Sequence, residues 1–238
     1  MINPREATPR RPVIDPPGRG HSGDGGGRFR DRHDAGRRLA AALRPLALDS
    51  PLLLALPRGG VPVAAEIARA LPADFDVLLV RKLSAPMHAE LGIGAIVGGA
   101  NSQPVLNRGL IDRLQVPDDY IEREVQRQRE EINRRRRCYC GDRPPPVLAG
   151  RNVVVVDDGV ATGSTMEAAL RACRAEKAAR VLFAVPVAPP DVAARLLSEA
   201  DDGISLLMPE HFRSVGDFYD DFTQTTDEEV VALLGAAS

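Results

Sequence analysis

Asp157 and Asp158 stand side by side at the end of four consecutive valines, Val153 to Val156, and are followed at once by Gly159-Val160-Ala161-Thr162-Gly163-Ser164-Thr165. That order joins a buried strand, two adjacent carboxylates and a phosphate cradle. β-Branched residues without polar alternation read as a strand covered on both faces, as in a parallel sheet. Gly159 and Gly163 let the backbone turn tightly and approach a ligand. Thr162, Ser164 and Thr165 add hydroxyl donors just where a helix from Met166 to Arg174 begins. Exposed N–H groups and the helix dipole favour a phosphate there. No Gly-Lys-Ser/Thr follows, which excludes a nucleoside triphosphatase loop, and the spaced glycines of a dinucleotide fingerprint are missing. An ordinary strand-to-helix turn whose acids cap the helix is the competing reading.

The segment closely resembles the phosphoribosyl pyrophosphate motif of the type I phosphoribosyltransferases: four hydrophobic residues, two acids, a small-residue loop containing Thr-Gly, then a hydroxyl residue. The resemblance implies that Asp157 and Asp158 hold the ribose 2′- and 3′-hydroxyls. It implies that Gly159, Ala161, Thr162, Gly163, Ser164 and Thr165 form the loop that binds the 5′-phosphate.

Such an enzyme must also hold the leaving pyrophosphate, and Leu56-Pro57-Arg58-Gly59-Gly60-Val61-Pro62 suits that task. Arg58 offers a charge-assisted fork, and Gly59 and Gly60 expose backbone N–H groups at a helix start. The segment resembles the family's pyrophosphate loop, in which a strained, often cis, peptide is typical. Arg81-Lys82 resembles the Arg-Lys pair that adenine and orotate phosphoribosyltransferases place near the pyrophosphate. Preorganised cations lower a barrier where negative charge develops. The resemblance implies displacement of pyrophosphate at C1′ by a ring nitrogen, with an oxocarbenium-like transition state and inversion. It also implies Mg2+ bridging pyrophosphate and ribose hydroxyls, held through the substrate near Asp157 and Asp158 rather than by direct protein ligands. A role in nucleotide salvage goes with it.

One departure narrows the chemistry. Hypoxanthine and guanine salvage enzymes carry an Asp where this chain has Ala161. Adenine phosphoribosyltransferases share the Ala and place a Glu in a flexible loop, and Glu90-Leu91-Gly92 is reminiscent of that loop, which makes Glu90 the candidate general acid/base. The alternative for Glu90 is a solvated loop side chain. The acceptor pocket is less legible. The strand Val181 to Val187 and its exit through Ala188-Pro189-Pro190 lack the Lys and aromatic that read a 6-oxopurine, and the uracil enzyme's Gly-rich signature is absent. His211, Phe212, Phe218 and Tyr219 are candidates for stacking on a base or for the core of a variable C-terminal hood. Val215 to Phe222, with Phe29 to Leu39 and Arg81-Lys82-Leu83, resembles an uncharacterised bacterial branch of the superfamily; that resemblance brings no acceptor base with it.

The elements that would position these groups follow the strand, helix, strand rhythm of an α/β protein. An amphipathic helix begins after Phe29 and ends before Pro45. A buried strand spans Leu52 to Leu56, a helix Pro62 to Ala70, and a strand Val77 to Val80 that closes on Arg81-Lys82. Glycines from Gly92 to Gly99 break the stretch from Ser84 to Asn107 into a flexible loop and a β-hairpin. A long helix runs from about Pro117 to Arg137 with a narrow apolar stripe of Ile121, Val125 and Ile132, leaving the rest to water or to a second copy in a homodimer. After the motif strand and helix come a strand Val181 to Val187, a helix near Pro190 and a strand Ile204 to Leu207. Thr226-Asp227-Glu228-Glu229 is a capping box that opens a final helix. The expectation is a five-stranded parallel sheet flanked by helices, with a flexible loop or hairpin and a small C-terminal hood. Residues 28–238 would form this domain behind a disordered Pro/Arg/Gly-rich tail, residues 1–27.

A chain of 238 residues can bury one such core with a small lobe. A net charge of -2 gives no global case for nucleic acid. Three cysteines, Cys138, Cys140 and Cys173, read as reduced thiols, and Cys138-x-Cys140 has no partner pair at zinc spacing. There is no signal-like apolar start and no apolar stretch long enough for a bilayer, so a cytoplasmic protein is the expectation. Two other functions stay open. One is a regulator that senses phosphoribosyl pyrophosphate or nucleotides and touches nucleic acid through Arg134-Arg135-Arg136-Arg137. The other is hydrolytic chemistry at the same site.

Overall fold

The structure is a computed structural model that describes residues 27–86, 88–98 and 104–236, with Ala89 and Glu90 described by their backbone alone. The expected tail, apart from Gly27, therefore lies outside the described residues. Helix α1 spans Arg32–Leu43, β1 Leu52–Ala55, α2 Gly60–Ala70 and β2 Asp74–Val77. A second group follows: β3 Val80–Ala85, β4 His88–Val97, β5 Val105–Leu106, α3 Arg108–Leu114 and α4 Asp118–Cys140. The chain returns through β6 Asn152–Val156, α5 Ser164–Ala175, β7 Arg180–Val187, α6 Pro190–Glu199, β8 Asp202–Leu207 and α7 Asp227–Gly235.

Strands β2-β1-β6-β7-β8 form a five-stranded sheet, all neighbours parallel. The valine run sits in its centre and is covered on both faces as its composition requires. Val154 and Val156 join Leu53, Ala55, Leu182 and Ala184 in a core shared with α1 and α2. Val153 and Val155 join Leu52, Leu54, Val181 and Phe183 against Met166, Leu170 and Leu196 of α5 and α6. Alternate residues of each strand thus serve opposite cores, which is why no polar alternation is visible in the sequence.

The strand expected at Val77 to Val80 is displaced. β2 ends at Val77 opposite Ala55, the Leu78 N–H making a last bond to the Ala55 carbonyl at 2.8 Å, while Val80 opens β3 in a separate antiparallel sheet β3-β4-β5. Asp76, the residue that disguised β2, is 5% exposed and is held by Arg136 and Arg143 at 2.9 and 3.4 Å. Sequence-distant cations make a buried carboxylate tolerable there. Arg81 and Lys82 consequently lie within β3 rather than at the end of a parallel strand. The hairpin expected between Ser84 and Asn107 is β3 with β4, extended by β5.

Helix α4 buries Ile121, Val125 and Ile132 as expected, and the gap in that stripe is filled by Glu124 and Gln128, joined by a 2.9 Å hydrogen bond. Among the described residues no helix is long and apolar enough to cross a membrane. The capping box of α7 is present, Thr226 and Glu229 satisfying each other's backbone N–H groups.

Candidate active site

Two loops meet at the carboxyl edge of the parallel sheet. β1 and β6 are neighbours in register, Ala55 opposite Val156, so Pro57 to Gly60 and Asp157 to Thr165 leave the sheet side by side. The Leu56 N–H donates to the Val156 carbonyl at 2.9 Å, tying the two exits together. A Cβ on Gly59 would stand 2.0 Å from Oδ2 of Asp158, and one on Gly60 would stand 2.6 Å from the Val156 carbonyl oxygen. Only residues without side chains let the first loop lie against the acids. The peptide between Pro57 and Arg58 is cis, as the family resemblance implies.

The two acids have different surroundings. Oδ1 of Asp157 accepts the Asp158 N–H at 2.9 Å. Burial pushes the Asp157 carboxyl well above the ordinary carboxylate range, and the neighbouring Asp158 adds to the rise. Oδ2 of Asp158 accepts from Nε of Arg32, at the start of α1, at 2.7 Å. Burial raises Asp158 as well, against the opposing pull of Arg32. The Asp158 carbonyl accepts the Tyr219 hydroxyl at 2.6 Å. Tyr219 in turn packs on Phe29, ring centroids 5.3 Å apart, and Arg32 lies over Phe222 at 3.9 Å while donating to the Thr223 carbonyl at 2.8 Å. The hood is therefore a clasp made from both the Phe29 to Arg32 segment and the Tyr219 to Thr223 segment.

The phosphate loop ends at Gly163, whose φ of +86° is a left-handed conformation that favours glycine, and α5 begins at Ser164. Its first N–H groups have no intrahelical acceptor and face the loop. Arg195 of α6 braces this turn: it donates to the Thr162 carbonyl through Nη2 and to Glu167 through Nε at 2.6 Å. Thr162, Ser164 and Thr165 open into a cleft of about 870 Å³ whose opposite wall includes Lys82, Asn107 and Arg108. A second cavity of about 210 Å³, among Leu43, Leu53, Leu71 and Val154, is lined mainly by aliphatic side chains and lies apart from the acids.

Asp157, Asp158, Gly59, Gly60, the loop Gly159 to Thr165 and Lys82 are thus gathered at one edge. Arg58 is on the same loop as Gly59, and its guanidinium points to Asp227, 3.6 Å away. Arg81 is turned aside, Nε donating to Gln128 of α4 at 3.0 Å. Glu90 is in β4, and its side chain lies outside the described residues. Of the candidate stacking groups, Tyr219 is committed to Asp158, and Phe212 stacks on Phe218 at 5.6 Å. Arg32, Tyr219 as a hydrogen-bond donor, Arg195 and Asp227 were not apparent as site residues from sequence. Their partners are far along the chain, and no local motif announces them.

Among the described residues no three His, Cys, Asp or Glu side chains are grouped to hold a metal ion, and all three cysteines are free thiols. Two adjacent carboxylates, one paired to Arg32, fit a cation reached through bound hydroxyls better than a dedicated protein cage. Three arginines of the run are engaged in ion pairs: Arg134 and Arg135 hold Glu131, each at 2.8 Å, and Arg136 holds Asp76.

A parallel sheet with a strand-acid-loop-helix phosphate site at its carboxyl edge is the frame of an α/β nucleotide- or sugar-phosphate-handling protein. The phosphoribosyl transferase domain model matches residues 30–223, and the chain belongs to that family. Two Mycobacterium tuberculosis proteins, from strains CDC 1551 and H37Rv, carry provisional phosphoribosyl transferase names. Each is 44% identical over 209 residues, which is 88% of this chain and 47% of theirs. The chain spans about half the length of those relatives. A Thermus thermophilus protein of known crystal structure is 46% identical, with 89% of this chain and 99% of that one covered and a TM-score of 0.79.

Proposed function

We propose that residues 28–238 act as one phosphoribosyltransferase domain that transfers the 5-phosphoribosyl group of phosphoribosyl pyrophosphate to a nitrogenous base and releases pyrophosphate. The observation that supports this reading is the contact of two loops, Gly59 packed on the carboxylate of Asp158, because the reading needs Pro57 to Gly60 and the acid pair to act at one point. Asp157 and Asp158 bind the ribose 2′- and 3′-hydroxyls. The N–H groups and hydroxyls from Ala161 to Thr165 hold the 5′-phosphate, so the sugar is fixed at both ends with C1′ between the loops. Arg58, Gly59 and Gly60 receive the negative charge that grows on the leaving oxygen as the bond to C1′ breaks. Lys82, on the cleft wall across from the Thr162 to Thr165 loop, adds a cation to the space between them. Mg2+, held through the substrate near Asp157 and Asp158, would neutralise part of the pyrophosphate charge. The Tyr219 to Thr223 hood screens the acids from water, which favours transfer over hydrolysis. Ala161 carries no acid, and Glu90 remains the candidate to move the acceptor's proton.

The test is a panel of bases and small amines incubated with phosphoribosyl pyrophosphate and Mg2+, with pyrophosphate release followed. Release with at least one acceptor, lost in an Asp157→Asn/Asp158→Asn protein that no longer binds donor, is the expected result. Tight donor binding without release for any acceptor would replace the enzyme by a sensor, and unchanged donor affinity in the double variant would remove the site assignment itself.

A further inference from the structure

The last helix brings negative charge to the leaving-group side of the site. α7 packs against α2 and α4, and its capping box fixes where its first turn begins. Asp227 is the first residue of that turn, followed by Glu228 and Glu229. Oδ1 of Asp227 lies 3.6 Å from Nη1 of Arg58 and accepts the Tyr139 hydroxyl at 2.7 Å. Tyr139 is 5% exposed at the end of α4 and stays un-ionised, its hydroxyl pushed up to about 12 by burial and by Asp227. Oδ1 of Asp227 is thus held by the buried Tyr139 hydroxyl while the same atom faces the one arginine of the Pro57 to Gly60 loop.

Arg58 cannot be neutralised by Asp227 and by a pyrophosphate at the same moment without bringing the two anions together. We propose that Asp227 is a positioning residue that competes with pyrophosphate for Arg58, so that α7 sets how strongly the leaving group is retained. This rests on the reading of Pro57 to Gly60 as the pyrophosphate loop. In the free protein Asp227 keeps Arg58 paired and oriented. As pyrophosphate forms, Arg58 turns to it, and the acidic first turn of α7 raises the free energy of the bound product and promotes its departure. The Arg58 and Asp227 side chains are 35% and 61% exposed, so water screens the pair and the effect is modest.

Asp227→Asn removes the charge and keeps both the side-chain shape and an acceptor for Tyr139. Calorimetric titration with magnesium pyrophosphate should show binding tightened about two- to fivefold, the gain shrinking as salt is raised. Asp227→Glu should restore the wild-type affinity, an outcome that a purely structural role of the position would not produce. Should Asp227→Asn not fold, Asp227→Ser carries the same expectation. Unchanged or weaker pyrophosphate affinity in the charge-removed variant, with binding still dependent on Arg58 in an Arg58→Ala protein, would overturn the role of Asp227 and leave the pyrophosphate loop standing. Absence of pyrophosphate binding in the wild-type protein would overturn both.

Discussion

Nε of Arg32 lies 2.7 Å from Oδ2 of Asp158 across 126 residues of sequence, and the two side chains are only 10% and 13% exposed. The pair holds one of the two motif acids at a fixed angle, while the other, Asp157, accepts a backbone N–H. Removing one partner of this largely buried pair leaves the other without its hydrogen bond, so Arg32→Met and Asp158→Asn should each destabilise the fold by about 1–3 kcal/mol in urea unfolding. The double variant should lose less than the sum, with a coupling of at least about 1 kcal/mol. Strict additivity would show that the contact carries no energy.

Asp157→Asn should move stability the other way. A carboxyl raised by burial is favoured when protonated, so its contribution is present at low pH and is lost as pH rises through its folded-state value. At neutral pH the neutral variant should therefore melt higher than the wild type, by about 2–4 °C for each kcal/mol relieved. The difference should shrink on acidification. Donor binding should be lost in the same protein, the usual opposition of stability and function at a binding site. A lower melting temperature at neutral pH would mean that the Asp157 charge is compensated in the free protein.

Gly59→Ala puts a methyl group 2.0 Å from an Asp158 oxygen that Arg32 prevents from swinging freely. Overpacking of this kind costs about 1–3 kcal/mol. The variant should fold with reduced stability and lose donor binding measured by calorimetry; wild-type affinity for phosphoribosyl pyrophosphate would show that the two loops do not act as one surface.

Arg195→Met should spare most of the fold, since Arg195 is half exposed, but it frees the Thr162 carbonyl and leaves Glu167 without its cation beside the phosphate loop. A charge-assisted hydrogen bond is worth about 1.5–3 kcal/mol, which corresponds to a donor KM raised about tenfold or more with a smaller change in kcat. Steady-state kinetics on a responsive acceptor would read this directly, and an unchanged KM would remove Arg195 from the loop's support.

The centre of the sheet was readable because its signals are local. Val153 to Val156 alternate between two cores without any help from distant residues, and Gly163 with Ser164 marks a helix start on its own. The misplaced second strand shows the opposite case. Asp76 looks unsuited to a strand until Arg136 and Arg143 arrive from the far end of α4 and beyond, and Asp74 until Arg151 does. Arg81 beside Lys82 looked like a matched pair of cations, yet adjacent strand residues point to opposite faces, and Arg81 finds Gln128 while Lys82 lines the cleft. Tyr219 reads from sequence only as a stacking or hood-core aromatic and Arg32 carries no role of its own; their contacts with Asp158 come only from the closure of the hood.

That closure has a consequence for the order in which the molecule matures. Arg28 donates to the Tyr219 carbonyl across 191 residues, and the Phe29 and Asp220 backbones pair alongside it. Contacts so remote in sequence repay their loop-closure entropy only once the intervening sheet is in place. A nascent chain halted before Tyr219 holds the valine strand, both acids and the phosphate loop, but Asp158 lacks its hydroxyl donor and Arg32 lacks the Thr223 carbonyl. The surroundings of the two acids are therefore completed only after Tyr219 to Thr223 have been made and have closed on Phe29 to Arg32.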